Sequence, residues 1–377
     1  MYESLFLISL FFIGYSYLIY PGLLVALVQF KRSDEAAQQE GDYYPTVSVV
    51  IAAYNEEKVI ERKILNSLSL DYPSDKVEIL IGSDGSTDGT DAICKRFEKC
   101  RFMRIEPRQG KSNVLNELIP AAEGEIIVLT DANTIMDPGA LRKLVKHFAD
   151  AAVGAVCGKL VLLQNESARL ESCEGIYWRY ESAIKEMESK IFSTVGANGG
   201  IYAIRRELYT PINKDTIIDD FLISLTILEQ GKRIVFEKEA VAYEYVSKRF
   251  LDEFWRKVRI GAGNLQVLLR KRLFFKSASL FVPFAYISHK VVRWCIPFLL
   301  ITLYLASLRL YGHGVFTYFF WAYNFAILIT VAAVVFQVRN WIINLISYLF
   351  VLNLALLLGY VRYIFRLQKA TWRKAAR

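Results

Sequence analysis

Histidine and cysteine are scarce in this chain, three and five among 377 residues. With so little imidazole, a nucleophilic triad built on a histidine base has almost no material to draw on. The cysteines (94, 100, 157, 173 and 295) show neither C-x-x-C spacing nor partner histidines. That excludes a thiolate metal cluster and reads as reduced cytosolic thiols. Nucleic-acid motifs are missing despite a net charge of +8, so no nucleic-acid partner is expected. Internal repeats and low-complexity runs are missing too. What is abundant is apolar, 54% of the residues. Residues 4–30, 294–311, 315–336 and 341–361 are nearly free of charge. Each is close to the ~20 residues that cross a bilayer core as a helix.

The first apolar stretch reads as an anchor and not as a cleaved signal, because Lys31-Arg32 follow it instead of preceding it. The same pair places residues 31–290 in the cytoplasm, and Lys290 and Arg293 agree. The division expected is an anchor over 1–31, a cytosolic domain over 45–248, interfacial helices over 249–290, spans over 291–365 and a basic tail over 366–377. The protein is thus expected in the cell membrane as a multi-pass chain. Positive charge beside the membrane suits anionic headgroups or anionic substrates. The tail raises a conflict. Arg362, Arg366, Lys369, Arg373, Lys374 and Arg377 predict a cytoplasmic end, whereas three spans after a cytoplasmic domain would place it outside. Three resolutions stand open: a re-entrant segment, a crossing by 277–287 as part of an extra element, or an external tail.

Between anchor and spans the pattern alternates. Apolar, β-branched runs at 47–53, 77–83, 102–105 and 125–130 read as strands, and 56–70, 86–99, 111–121 and 137–148 as helices. This predicts an α/β domain with a parallel sheet covered on both faces, in which ligands bind beyond the carboxyl ends of the strands. A strand at 153–163, a helix near 167–190 and a glycine-rich turn at 196–200 follow. Asp219-Asp220 open a helix that ends at Gly231, short strands are expected at 233–236 and 240–246, and a helix at 250–272. In that last helix Leu251, Phe254, Trp255, Val258, Ala262 and Leu265 share one face, a pattern suited to the membrane interface. The neighbouring Lys257 reads as a headgroup contact.

Two decoys fall away. Asp84-Gly-Ser-Thr-Asp88-Gly89 starts like a calcium loop, but its twelfth position is Lys95 where a bidentate Glu is needed. Gly110-Lys111-Ser112 resembles the end of a phosphate loop, but the glycine required five residues earlier is Ile105. What remains is a series of stations in order. Asp84 and Asp131 end strands. Asp131 and Asn133 can share a hard divalent cation. Asp219 and Asp220 begin a helix, where one carboxylate can act as a base. Arg256 and Arg259 share a helix face and can meet a departing anion.

In this arrangement the chain resembles the family-2 glycosyltransferases, especially membrane-embedded poly-N-acetylglucosamine, hyaluronan, chitin and cellulose synthases. Val50-Ile51-Ala52-Ala53-Tyr54-Asn55-Glu56 resembles the opening strand that binds the nucleotide. Ser83-Asp84-Gly85-Ser86 resembles the second nucleotide-binding motif, and Gly110-Lys111 the conserved pair near the nucleotide-sugar. Asp131-Ala132-Asn133 resembles D-x-D except at its last residue. Ile218-Asp219-Asp220 resembles Thr-Glu-Asp, which makes Asp220 the base. Arg256-Lys257-Val258-Arg259-Ile260 resembles (Q/R)-x-x-R-W with isoleucine for tryptophan.

The resemblance implies an A-type glycosyltransferase fold (Rossmann-like) with an α-helical transmembrane region, and inverting transfer of a hexosyl group from a UDP-sugar. Ala52, Tyr54, Glu56, Asp84, Lys111 and Asp131 are then the nucleotide-sugar residues. Asp131 and Asn133 hold Mg2+ or Mn2+, and Asp219, Asp220, Arg256 and Arg259 are catalytic. The acceptor is a growing polysaccharide or a lipid-linked acceptor taking one or a few sugars. Membrane lipids and an oligomeric or export partner complete the expected partners. A reading from another class is a catalytically inactive, nucleotide-sensing membrane scaffold.

Overall fold

The computed structural model describes residues 1–31, 43–163, 171–245, 250–271, 277–336, 338 and 340–371. Arg32, the start of the helix expected from 167, the end of the domain expected to run to 248, and Arg373, Lys374 and Arg377 lie outside the described residues. Two helices, α1 (Tyr2–Gly14) and α2 (Tyr20–Phe30), join through a π turn at Tyr15–Ile19 into one apolar rod. Strand β1 (Val47–Ala53) follows, buried along its whole length as VSVVIAA demands. Then come α3 (Ile60–Leu68), β2 (Val77–Asp84), α4 (Thr90–Cys94), β3 (Cys100–Ile105), α5 (Lys111–Ala121), β4 (Ile126–Asp131), β5 (Thr134–Met136) and α6 (Ala140–Val145). The second half holds β6 (Val153–Leu163), α7 (Glu171–Ile191), β7 (Tyr202–Arg205), α8 (Asp219–Glu229), β8 (Arg233–Tyr245) and α9 (Phe250–Arg270). Last come α10 (Phe281–Ala285), α11 (Val292–Arg309), α12 (Val315–Phe336) and α13 (Trp341–Ile364).

One sheet of eight strands runs β3-β2-β1-β4-β7-β6-β8-β5. The first four strands are parallel, as the alternation predicts. The remainder, where the alternation stops, is mixed: β7 is antiparallel to both β4 and β6, β5 is antiparallel to β8, and β6 is parallel to β8. Alternation of strand and helix ends after β4, so nothing forces later strands into crossover geometry. The two strands expected at 233–236 and 240–246 are a single strand with a register shift opposite Gly158. The charged Glu237-Lys238-Glu239 breaks the hydropathy pattern there, and the pairing jumps from Glu237 to Val241 while the strand continues. A Cβ on Gly158 would lie 2.7 Å from the Ala240 carbonyl oxygen, so only glycine lets the bulge close. The helix expected over 86–99 is the short α4, because Lys95 to Lys99 lead into β3.

Apolar side chains fill both faces of the sheet, with α3 and α6 on one side and α5 and α8 on the other. The membrane region docks on the second side through Val282, Tyr286 and Trp294, the last in edge contact with Phe221 of α8. A buried polar clamp adds to this. On α7, Glu188 accepts from Tyr20 of the anchor at 2.7 Å and lies 2.8 Å from His289, while Glu181 binds Lys290 and Arg293 at 2.5 and 2.7 Å. Lys31 at the anchor's end donates to the carbonyls of Lys190 and Ile191.

Among the described residues four helices are long and apolar enough to cross a membrane: Tyr2–Phe30, Phe281–Arg309, Val315–Phe336 and Trp341–Ile364. Residues 281–309 form one rod with a π turn at Tyr286–Val291, so 277–287 is no separate crossing element. The stripe on α9 is also corrected. Leu251 and Trp255 are exposed, but Val258 and Ala262 are covered by α13, where a Cβ on Gly359 would lie 2.3 Å from the Val258 carbonyl oxygen. Lys257, read as a headgroup contact, is buried and pairs with Glu253 at 3.3 Å.

Candidate active site

Three parallel strands end side by side. Ala52 of β1 is in register with Asp131 of β4, and Ala53 with Ser83 of β2. Beyond these ends lies a cavity of about 1530 Å³. Ala52, Glu56, Arg108, Lys111, Asp131, Asn133, Asp219, Asp220, Arg256 and Arg259 all line it. Most of the residues singled out along the sequence therefore share one space.

Lys111 is its centre. Gly110, at φ +102°, takes a conformation that favours glycine and turns the chain into α5. The Lys111 ammonium then reaches Asp131 at 2.8 Å and Asp219 at 3.3 Å. Burial works against this charge, but Asp131 and Asp219, with Asp220 behind them, outweigh it and hold the ammonium charged above the ordinary lysine range. Asp220 sits one residue into α8 and accepts the Phe221 N–H at 2.8 Å. Burial, then the neighbouring Asp219, pushes its carboxyl up to about 6, with Lys111 opposing. Across from it a Cβ on Gly199 would lie 3.0 Å from Asp220 Oδ2, so backbone at 198–200 approaches the carboxylate closely.

The two arginines part company. Arg259 donates to the Ile217 carbonyl at 2.7 Å, just before the Asp219-Asp220 pair. Burial lowers its guanidinium's proton affinity, against the pull of Asp219, Asp220 and Asp131. Arg256 is gripped by Glu253, with nitrogen–oxygen distances of 2.7 and 2.8 Å. Both line the cavity, and Ile260 lines it as well.

Asp84 does not reach this space. Fully buried, it accepts the Gln109 N–H at 2.8 Å and the Gly110 N–H at 2.9 Å. Its visible work is to seat the loop that carries Arg108 and Lys111. From that loop the Arg108 guanidinium stacks on Tyr54, 3.4 Å from the ring centroid. Glu56 is placed by its N–H, which donates to Thr90 Oγ1 at 2.8 Å.

For a divalent cation the donor set is oxygen-rich: the Asp131 carboxylate, the Asn133 amide and Glu244, to which Asn133 Nδ2 donates at 3.0 Å. Among the described residues no three acidic, histidine or cysteine side chains converge as a complete metal site. Oxygens of the Asp131 carboxylate and the Asn133 amide are of the hard type that suits a divalent cation such as Mg2+ or Mn2+.

Sequence reasoning missed three participants. Glu244 is an acid inside the strand run 240–245, a position where strands carry apolar or neutral residues. Lys63 is a lysine on the buried face of α3, with Ile60, Ile64 and Ser67, and it is wholly buried. Burial brings its ammonium down to about 7, with Asp131 opposing. The third is the segment after α13. Leu367, Gln368, Lys369 and Thr371 line the cavity, after a turn at Arg366 with φ +57°. Arg362 holds this turn through the Leu367 carbonyl at 3.1 Å. The described end of the chain therefore returns to the cavity that holds the acidic stations.

Known proteins can now be set beside this geometry. Residues 48–210 match the model of the family described as Glycosyl transferase family 2. A poly-beta-1,6-N-acetyl-D-glucosamine synthase of Staphylococcus epidermidis is 29% identical over 254 residues, covering 64% of this chain and 60% of that protein. Its namesake from Staphylococcus aureus strain COL is 27% identical over 232 residues, covering 59% and 56%. The chain thus spans less than two thirds of the length of these curated relatives. Among solved structures, a mannosyltransferase from Pyrobaculum calidifontis, in complex with GDP-Man and Mn2+, superposes with a TM-score of 0.72 at 24% identity. It covers 98% of this chain and 100% of its own.

Proposed function

We propose, starting from the match of residues 48–210 to the family-2 glycosyltransferase model, that the chain is a membrane-bound inverting hexosyltransferase that moves sugar from a UDP-sugar to a growing polysaccharide. The observation that carries this is Asp220. It is a carboxylate raised to about 6, beside a cationic centre and facing glycine backbone, at the mouth of a cavity large enough for a nucleotide-sugar and an acceptor.

In this reading the nucleotide lies along Ala52, Tyr54 and Glu56, on the loop that Asp84 seats. The diphosphate lies by Lys111 and Arg259, with Arg256 at the rim. The acceptor hydroxyl lies between Gly199 and Asp220. Asp220 takes the hydroxyl proton as that oxygen attacks the anomeric carbon from the face opposite the diphosphate. The bond from the anomeric carbon to the diphosphate oxygen breaks, and UDP leaves with its electron pair. Lys111 and Arg259 stabilise the charge that develops there. Asp219 holds Lys111 in place for this. Asp131 and Asn133 would hold Mg2+ or Mn2+, which neutralises diphosphate oxygens when bound.

We assign the catalytic domain to the cytoplasm, in a multi-pass chain whose crossings are Tyr2–Phe30, Phe281–Arg309 and Val315–Phe336. Because 362–371 return to the catalytic cavity, an even number of full crossings follows residue 271. The helix that does not cross is α13. Tyr348 contacts the Tyr177 ring of α7, Leu356 and Gly359 pack on α9, and 367–371 reach the cavity, so it runs along the domain.

The test is incubation of the purified protein with radiolabelled UDP-N-acetylglucosamine, UDP-glucose and GDP-mannose, with membrane lipid present, followed by sizing of the product. High polymer is the expected result. A short glycolipid would replace the polymer reading by the lipid-acceptor one, and no product would leave the inactive scaffold. Asp220→Asn should abolish transfer while donor binding persists, and retained turnover would sink the assignment of the base.

A further inference from the structure

Lys63 is a charge where the fold wants none. It lies on the stripe of α3 that packs under the sheet, 0% exposed, between Ile60 and Ile64. Its ammonium donates to Thr130 Oγ1 at 2.8 Å and to the Thr134 carbonyl at 2.7 Å. Neither partner is a carboxylate. Desolvating an ammonium for two neutral acceptors is costly, and an apolar side chain of the same length would serve the core better.

The two acceptors say what the charge is for. Thr130 immediately precedes Asp131, and Thr134 immediately follows Asn133. One ammonium thus closes the turn that carries both. The bond is also relayed: Thr130 Oγ1, having accepted from Lys63, donates to the Gly200 carbonyl at 2.9 Å. Gly200 follows Gly199, whose backbone lies against Asp220. Through one hydroxyl, then, the donor side of the cavity and the acceptor side are tied to the same buried cation.

We infer that Lys63 is a positioning residue for transfer, fixing the Asp131–Asn133 turn through Thr130 and Thr134 and, through the Thr130 hydroxyl, the Gly199–Gly200 backbone beside Asp220. This rests on the transferase reading above. It touches neither substrate, so its removal loosens the geometry of reaction and leaves donor binding largely in place.

The experiment compares wild type, Lys63→Met, Thr130→Val and the double variant, full-length in detergent with lipid, using the donor that wild type accepts. Lys63→Met should lower kcat about 10- to 100-fold, with KM for the donor within about threefold. The melting temperature should be unchanged or raised, since an apolar residue replaces a buried charge. Thr130→Val should lower kcat less, and should cost less in the Lys63→Met background than it does alone, because both weaken the same relay. If Lys63→Met fails to fold, Thr130→Val alone still reads the relay, and wild-type kcat there overturns the inference. So do kcat within twofold of wild type in Lys63→Met, a loss confined to the melting temperature, or losses that multiply in the double variant. Wild type inactive with every donor would defeat the transferase reading itself, an outcome distinct from an active Lys63→Met.

Discussion

Replacing Lys111 by methionine should move the base. The ammonium stands 2.8 Å from Asp131 and 3.3 Å from Asp219. At an effective dielectric of about 20, the attraction at the longer distance alone is about 5 kcal/mol. Methionine keeps the length and removes the charge, leaving Asp131, Asp219 and Asp220 to repel one another. Lys111 holds the Asp220 carboxyl down, whereas burial and Asp219 push it up to about 6. In wild type, activity should therefore rise with pH through about 6 as Asp220 loses its proton. Losing this lowering influence raises the Asp220 carboxyl further, so the acid limb should shift to higher pH. The sign for stability follows. Between the unfolded value near 4 and the raised native value, the native state binds more protons than the unfolded one, so stability falls as pH rises through that window. Lys111→Met widens the window upward, and its destabilisation, about 3–5 kcal/mol for a broken buried pair, should be larger at pH 8 than at pH 6. The assay is initial rate at saturating donor from pH 5 to 9, with thermal unfolding at both pH values. An acid limb that stays where wild type has it would refute the coupling between Lys111 and the base.

Other expectations follow from particular contacts. Gly359→Ala should lower the melting temperature by the equivalent of about 1–3 kcal/mol and reduce transfer, because a Cβ there meets the Val258 carbonyl and the Ala262 nitrogen and displaces the segment entering the cavity. Gly22→Ala, which meets nothing within 4 Å, is the matched control, and equal behaviour of the two would contradict the crossing of α9 and α13. Asn133→Asp should place a second carboxylate opposite Glu244, lowering stability without metal and tightening Mn2+ binding about tenfold or more by calorimetry. An unchanged Mn2+ affinity would remove Asn133 from the metal station.

Asp220 and Lys63, whose replacement is expected to cost turnover, were legible in the sequence in two different ways. Asp220 could be read as a base because two acids behind Ile217-Ile218 open a helix at an apolar boundary. Lys63 left a signal of a different sort, a lysine on the stripe Ile60, Ile64 and Ser67, but a stripe with one cation does not say which acceptors meet it. Those acceptors come from β4 and β5, on a different part of the chain. The tail behaved likewise. Its charge pointed to the cytoplasm but conflicted with the span count, while its place at the cavity depends on α13 packing against α9 at Gly359 and Gly261.

By itself the sequence determined the elements whose cause is local. Buried parallel strands follow from continuous β-branched runs, the four long apolar helices from length and lack of charge, and the order of acidic stations from their sites at strand and helix ends. Tertiary structure alone decided whatever depends on residues far apart in the chain. It set the mixed half of the sheet, the single bent strand β8, the loop that fills both oxygens of Asp84, and the pairing of Asn133 with Glu244. It also set the shift of Asp220, because a carboxyl's proton affinity depends on which charges and how little water surround it, and both are fixed only when distant segments pack together.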